Sequence, residues 1–267
     1  MKQILASVLS LFIVGTVLAQ TAEDVISKHV EAMGGIEKLK ALQTIQMEGV
    51  AVGPNGSEIT TTTIRVQGKL YRQQVDFGMG NFTVLVTEKG GWFSNPRNSG
   101  AFEAMPAEAY NSQMAEMDCN SLLIDYAAKG VSVELTGTET INNLTCYVVK
   151  ATTKSGKSVS YFIDNKSWMV VRTSMKGGAG MGMFGGGGRP GGGQGGGQQG
   201  GGQQGGGNRP NPQDMGVNID YSDFKQFDGY WFPTTISRPG MGGRAMNTTI
   251  ETILINKKID ERLYKPE

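Results

Sequence analysis

VSVELTGTETINNLTCYVVKATTKSGKSVSYFIDNKSWMVVRTSMK, residues 131–176, decides the fold class. Val131, Val133 and Leu135 alternate with Ser132, Glu134 and Thr136. Leu144, Cys146 and Val148 alternate with Thr145, Tyr147 and Val149. Val159, Tyr161 and Ile163 alternate with Ser158, Ser160 and Phe162, and Met169, Val171 and Thr173 follow at the same spacing. A period of two places alternate side chains on opposite faces of a sheet. Lys154-Ser155-Gly156-Lys157 and Asp164-Asn165-Lys166-Ser167 are short polar connections of the kind that join antiparallel neighbours. The stretch predicts an antiparallel meander that the rest of the chain extends.

Toward the N-terminus the same pattern continues. Ile45, Met47 and Ala51 alternate with polar positions, and Pro54-Asn55-Gly56 is a turn. Thr60 to Thr63, then Tyr71, Gln73, Val75 and Phe77, then Phe82, Val84 and Val86, read as strands, and Lys89-Gly90-Gly91 turns the chain into Trp92-Phe93. Several of these strands are polar on one side, which predicts a sheet with one face in water. Toward the C-terminus, Asp220 to Phe224, Trp231 to Ile236 and Thr248 to Ile255 are strands, the first two joined at Asp228-Gly229. Because antiparallel neighbours alternate in direction, the Ser155-Gly156 turn, the glycine-rich segment and the 239–244 loop share one end of the sheet. The Asn165 and Asp228-Gly229 turns share the other.

Two regions read as helical. Thr21 to Met33 has a capping threonine with Asp24 three residues on, and Gly34-Gly35 ends it; a short second helix follows over Ile36 to Leu42. Pro106 to Lys129 is the other, ending at Gly130, with Tyr110, Met114 and Met117 at helical spacing and a break near Asp118-Cys119-Asn120. Met1 to Ala19 reads as a secretory signal peptide: Lys2 starts it, Ile4 to Val17 is mostly apolar, and Val17-Leu18-Ala19 suits cleavage before Gln20. Its removal takes away one lysine and leaves 24 cations against 24 anions. A neutral chain offers no basic surface for nucleic acid or for an anionic membrane.

Residues 177–207 hold half of the chain's 40 glycines, mixed with glutamine. Such composition cannot bury enough apolar area to offset the entropy of ordering, so 177–216 is expected to be a flexible insertion. The two strands and returning strand beyond it are too few for a core of their own. Residues 20–267 are therefore expected to form one domain.

VELTGTE (133–139), CYVVKAT (146–152), SYFID (160–164) and Val170-Val171-Arg172, with IDYSDFKQFDGYWFPTTI (219–236) and INKKIDERLYKP (255–266), resemble the periplasmic outer-membrane lipoprotein-sorting family, of LolA and LolB type. The resemblance implies an incomplete antiparallel β-barrel whose concave face is covered by helices and holds acyl chains. The Gly/Gln insertion is not part of that family's basic pattern. The expected fold is mainly β (α+β): a single large, strongly curved antiparallel sheet or incomplete β-barrel covered by helices, with the Gly/Gln loop inserted between strands. The expected role is a periplasmic binding protein for a lipid or lipidated protein, with peripheral or no membrane association. The alternative is a structural or interaction module of the envelope that uses the Gly/Gln loop to meet a protein partner.

Catalytic signatures are absent: there is no Gly-x-Ser-x-Gly, no His-Glu-x-x-His, no Cys-x-x-Cys and no phosphate loop. His29 is the one histidine and reads as a packing or surface residue rather than a base or ligand. No cofactor, metal or enzymatic activity is expected. Trp92, Phe93, Met114, Met117, Leu122 and Trp231 are candidates for an apolar groove, with core packing as the alternative for each. Cys119 and Cys146, in an exported chain, are compatible with a disulfide or with two buried thiols.

Overall fold

A computed structural model describes residues 20–53, 56–78, 80–96, 99–175, 216–240 and 245–266. The expected signal peptide and the Gly/Gln insertion, apart from Gly216, lie outside the described residues.

The chain opens with α1 (Ala22–Ala32) and α2 (Ile36–Lys40). Thr21 and Asp24 make a reciprocal capping box, with the Asp24 amide donating to Thr21 Oγ1 at 3.2 Å and the Thr21 amide donating to Asp24 Oδ2 at 3.1 Å. Gly34 and Gly35, at φ of 112° and 91°, then let the chain reverse. Six strands follow: β1 (Thr44–Val52), β2 (Glu58–Val66), β3 (Leu70–Asp76), β4 (Asn81–Thr87), β5 (Gly90–Ser94) and β6 (Phe102–Ala104). After α3 (Ala107–Gln113) come β7 (Ser132–Ile141), β8 (Leu144–Thr152), β9 (Ser158–Asp164), β10 (Val170–Met175), β11 (Val217–Phe227), β12 (Tyr230–Pro239) and β13 (Ala245–Ile255).

All belong to one open sheet of 13 strands, in the order β6-β5-β4-β3-β2-β1-β13-β12-β11-β10-β9-β8-β7. Every pairing is antiparallel. The expected mainly β sheet is present, and its turns fall at the expected ends. Residues 153–157, the partners Met175 and Val217, and the partners Pro239 and Ala245 share one end. The 165–169 and Asp228-Gly229 turns share the other, where Asp228 and Gly229 both have positive φ, 48° and 79°.

Two connections break the chain of neighbours. β1 pairs with β13 at the centre, so residues near the two ends of the described chain meet there, as in Ile45 opposite Ile255. β6 and β7 lie at opposite edges. Residues 105–131 must therefore cross the full width of the sheet, and this segment is called the strap. The helical region expected over 106–129 is broken at Asp118, within the expected Asp118-Cys119-Asn120 break, and only its first part is helical. It is helical over α3, tightens to a 3-10 turn over Met114–Met117, and is extended at Asp118, with φ −77° and ψ 129°. The reason is local: Asp118 Oδ1 accepts from the Asn120 amide at 2.9 Å, a side-chain turn that competes with helix.

Register assigns each strand residue to a face. On the helix-bearing face, Val149, Ala151, Tyr161 and Ile163 pack with Val25 and Ile26 of α1 and Leu123 of the strap. Ile45, Tyr230, Ile250, Ile253 and Ile255 pack with Leu39 of α2 and Ile124 of the strap. Tyr71, Val84 and Val86 pack with Met117. The opposite face is less wet than the alternation suggested. Ile64, Leu70 and Leu85 are buried there under the C-terminal residues Ile259, Leu263 and Tyr264. Cys146, Val148, Phe162 and Val171 make a second cluster.

Candidate functional site

The helix-bearing face is fastened and lined by a small set of polar side chains. Arg65 of β2 points to the strap, donating from Nε to the Glu116 carbonyl at 2.9 Å and from Nη2 to Glu116 Oε2 at 2.6 Å. Gln67 Oε1 accepts from the Cys119 amide at 2.8 Å, and the Gly68 amide donates to the Met117 carbonyl at 3.1 Å. Tyr110 closes the start of the strap by donating to the Thr87 carbonyl at 2.9 Å. The strap also holds α2, through Asn120 Nδ2 to the Leu39 carbonyl at 2.9 Å and a Lys40–Asp125 ion pair at 2.8 Å.

Three tyrosines line the same face. Tyr71 and Tyr161 are buried. Tyr161 Oη accepts from the Leu122 amide at 3.3 Å, and Tyr221 Oη lies 3.1 Å from Thr173 Oγ1. Burial raises all three phenols above their ordinary value, so they are neutral and can donate hydrogen bonds. The Arg65 guanidinium stands 5.4 Å from the Tyr71 ring centre. α1 and the end of the strap cover β8 and β9 as far as Ala151, beside the 153–157 turn, whereas on β1 to β4 the cover is α2 and Met117 of the strap, at the end where β1 begins. Toward the other end, Ala51, Ile59, Val75 and Met246 form an apolar cluster built from strand residues alone.

The six groove candidates divide between the two faces. Phe93, opposite Val84, belongs to the helix-bearing face, as do Met117, buried against Tyr71 and Val86, and Leu122, packed beside Leu123. Met114 is 43% exposed on the outside of the strap. Trp92 is on the opposite face, against Ile64 and Leu85. Trp231, adjacent to Tyr230 but directed the other way, lines an open depression of about 630 Å³ with Leu144, Val171, Phe224 and Tyr221. Arg65, Tyr161, Tyr221 and Glu116 were not among the candidates. Alternation could have found Tyr161, since it shares its face with Val159 and Ile163.

Cys119 and Cys146 are both free thiols. Cys119 packs at the edge of the α2 cluster on the helix-bearing face, whereas Cys146 is buried on the opposite one. Burial pushes the Cys119 thiol up to about 11. Among the described residues no group of three or more His, Cys, Asp and Glu could hold a metal, and no helix is long and apolar enough to cross a membrane.

No family model matches the sequence, and no curated protein does either. Solved structures do match. An outer membrane lipoprotein-sorting protein domain from Vibrio parahaemolyticus aligns over 90% of this chain and 94% of its own, with a TM-score of 0.51 and 10% identity. A LolA superfamily protein from Nitrosomonas europaea aligns over 92% and 99%, with a TM-score of 0.52 and 11% identity. A DUF1329 family protein from Desulfovibrio piger aligns over 91% and 97%, with a TM-score of 0.53 and 12% identity. At these identities the likeness is one of architecture, and it extends over nearly the whole of each partner. The chain thus has the fold of the lipoprotein-sorting domains, an open, curved antiparallel sheet with helices and a strap laid across one face.

Proposed function

We propose that this protein is an exported, periplasmic, non-catalytic binding protein that holds a lipid, or the acyl part of a lipidated polypeptide, against the helix-bearing face of its sheet. The observation that carries the reading is the division of that face. On β1 to β3, α2 and the strap cover the end where β1 begins, and the far end carries the cluster of Ala51, Ile59, Val75 and Met246, built from strands alone, with the first three buried. Acyl chains laid there would lose water contact, at roughly 0.8 kcal/mol for each buried methylene. The architecture shared with lipoprotein-sorting domains supports the same role.

The test is mass spectrometry of organic extracts from gently purified protein, beside displacement of a neutral apolar fluorophore by fatty acids. Bound lipid and competitive displacement are expected. Thr61→Trp should weaken displacement at unchanged thermal stability, because residue 61 shares this face with Ile59 and Val75 and a large ring there fills the groove. Empty protein that binds no acyl compound at micromolar concentration sinks the reading. The envelope interaction module would then be the better account.

A further inference from the structure

Arg238 sits on the same face near the end of the sheet where β12 gives way to β13. On β12, Tyr230, Phe232 and Ile236 pack toward the helices, so a period of two directs Arg238 that way too. Its cross-strand partner is Met246, a member of the apolar cluster with Ala51, Ile59 and Val75. Its positive charge is felt at both Tyr71 of β3 and Tyr221 of β11, so the guanidinium lies between the two halves of the sheet. Its Nε is buried, with no hydrogen-bond acceptor among the described residues. Arg65, Arg172 and Arg262 pair with Glu116, Asp220 and Asp260, and Arg72, on the opposite face, donates from Nη1 to the Leu263 carbonyl at 3.4 Å. Among the described residues Arg238 has no such partner.

A buried donor without an acceptor costs about 1–3 kcal/mol, and more when it carries charge. Arg238 is half-buried, and its buried Nε has room for an acceptor that no described residue supplies. Glu116, the carboxylate on this face, is already held by Arg65. We propose that Arg238 receives the acidic head group of an amphiphile whose acyl chain lies along Ala51, Ile59, Val75 and Met246, with the hydroxyls of Tyr71 and Tyr221 as neighbouring donors. The ligand class is a singly charged oxyanion joined to an alkyl chain, a carboxylate or a phosphate ester. The proposal rests on the acyl-binding reading and adds its charge selectivity.

The experiment compares hexadecanoate, hexadecyl phosphate and hexadecanol as competitors of a neutral apolar fluorophore at pH 8. In the wild type at least one anion is expected to outcompete the alcohol tenfold or more, and the stronger of the two identifies the head group. Arg238→Gln should abolish that preference while leaving the alcohol's affinity unchanged, and Arg238→Lys should restore part of it. Arg238→Met, which keeps length but removes the unpaired charge, should fold with no loss of thermal stability in ligand-free protein. Equal affinity for alcohol and anions in the wild type overturns the proposal and leaves acyl binding intact, as does a preference that survives Arg238→Gln. Failure of all three competitors to displace the fluorophore defeats the acyl-binding reading itself, and this inference with it.

Discussion

His29 shows how a single residue sets a condition on stability. It is 4% exposed on α1, and its Nδ1–H donates to the Trp168 carbonyl at 2.7 Å. Burial lowers its pKa below 6.5, against a smaller opposing effect of that hydrogen bond. The unfolded chain then binds a proton that the folded chain refuses, so stability is full above about 6.5 and falls as pH drops through and below it. His29→Gln is expected to flatten the difference in urea midpoint between pH 7 and pH 5 relative to wild type. An equal slope in both proteins would show that the ring is free to protonate in place. The sequence read His29 as a packing or surface residue, because no other histidine could partner it, and its burial decides for packing. The sequence could not disclose Arg238, because Pro239 and Gly240 beside it read as loop, and the register that turns Arg238 inward comes from pairing with β13.

At the scale of elements, what depends on nearby residues was legible. The capping box, the Gly34-Gly35 stop, the hairpin turns and the strand alternation are all local, and they are all present. The strap was legible at its ends, Pro106 and Gly130, and at its break, where Asp118 turns the chain locally. Its interior follows contacts with Arg65 and Gln67, far away in sequence. The groove candidates divided because large apolar side chains occupy both faces of the sheet, and adjacent residues such as Trp92 and Phe93 necessarily point opposite ways. Gly49 marks a tight contact between two central strands. It faces Ile250 at a bulge in the β1·β13 pairing, and a Cβ there would stand 2.9 Å from Ile250 Cδ1 and 2.9 Å from the Thr249 carbonyl oxygen. Backbone cannot swing aside as a side-chain tip can. Gly49→Ala is expected to cost about 1–3 kcal/mol, read as a lower urea midpoint at unchanged slope. An unchanged midpoint would mean that the two strands part there at no cost.

For the whole molecule, antiparallel alternation was enough to place the loops at the correct ends. The covered opposite face was not foreseeable, because Ile259, Leu263 and Tyr264 reach Ile64 and Leu85 only after β13 has joined β1. That central pairing also has a consequence in time. Every other strand contact joins neighbours along the chain, whereas Met47 and Ile253 must find each other from near its two ends. Closing a long loop costs entropy that is repaid only once both strands are in register, and such non-local pairings are slow. The arms β1–β6 and β7–β13 are therefore predicted to organise first and to zip together last. Pulse-labelled hydrogen exchange during refolding should protect amides of β8 and β9 before those of Met47 and Ile253, whereas simultaneous protection would rule that order out. Until the zip closes, both arms present a bare central strand edge, so newly made protein should be most prone to self-association in that interval, when β1 and β13 of different copies can pair instead.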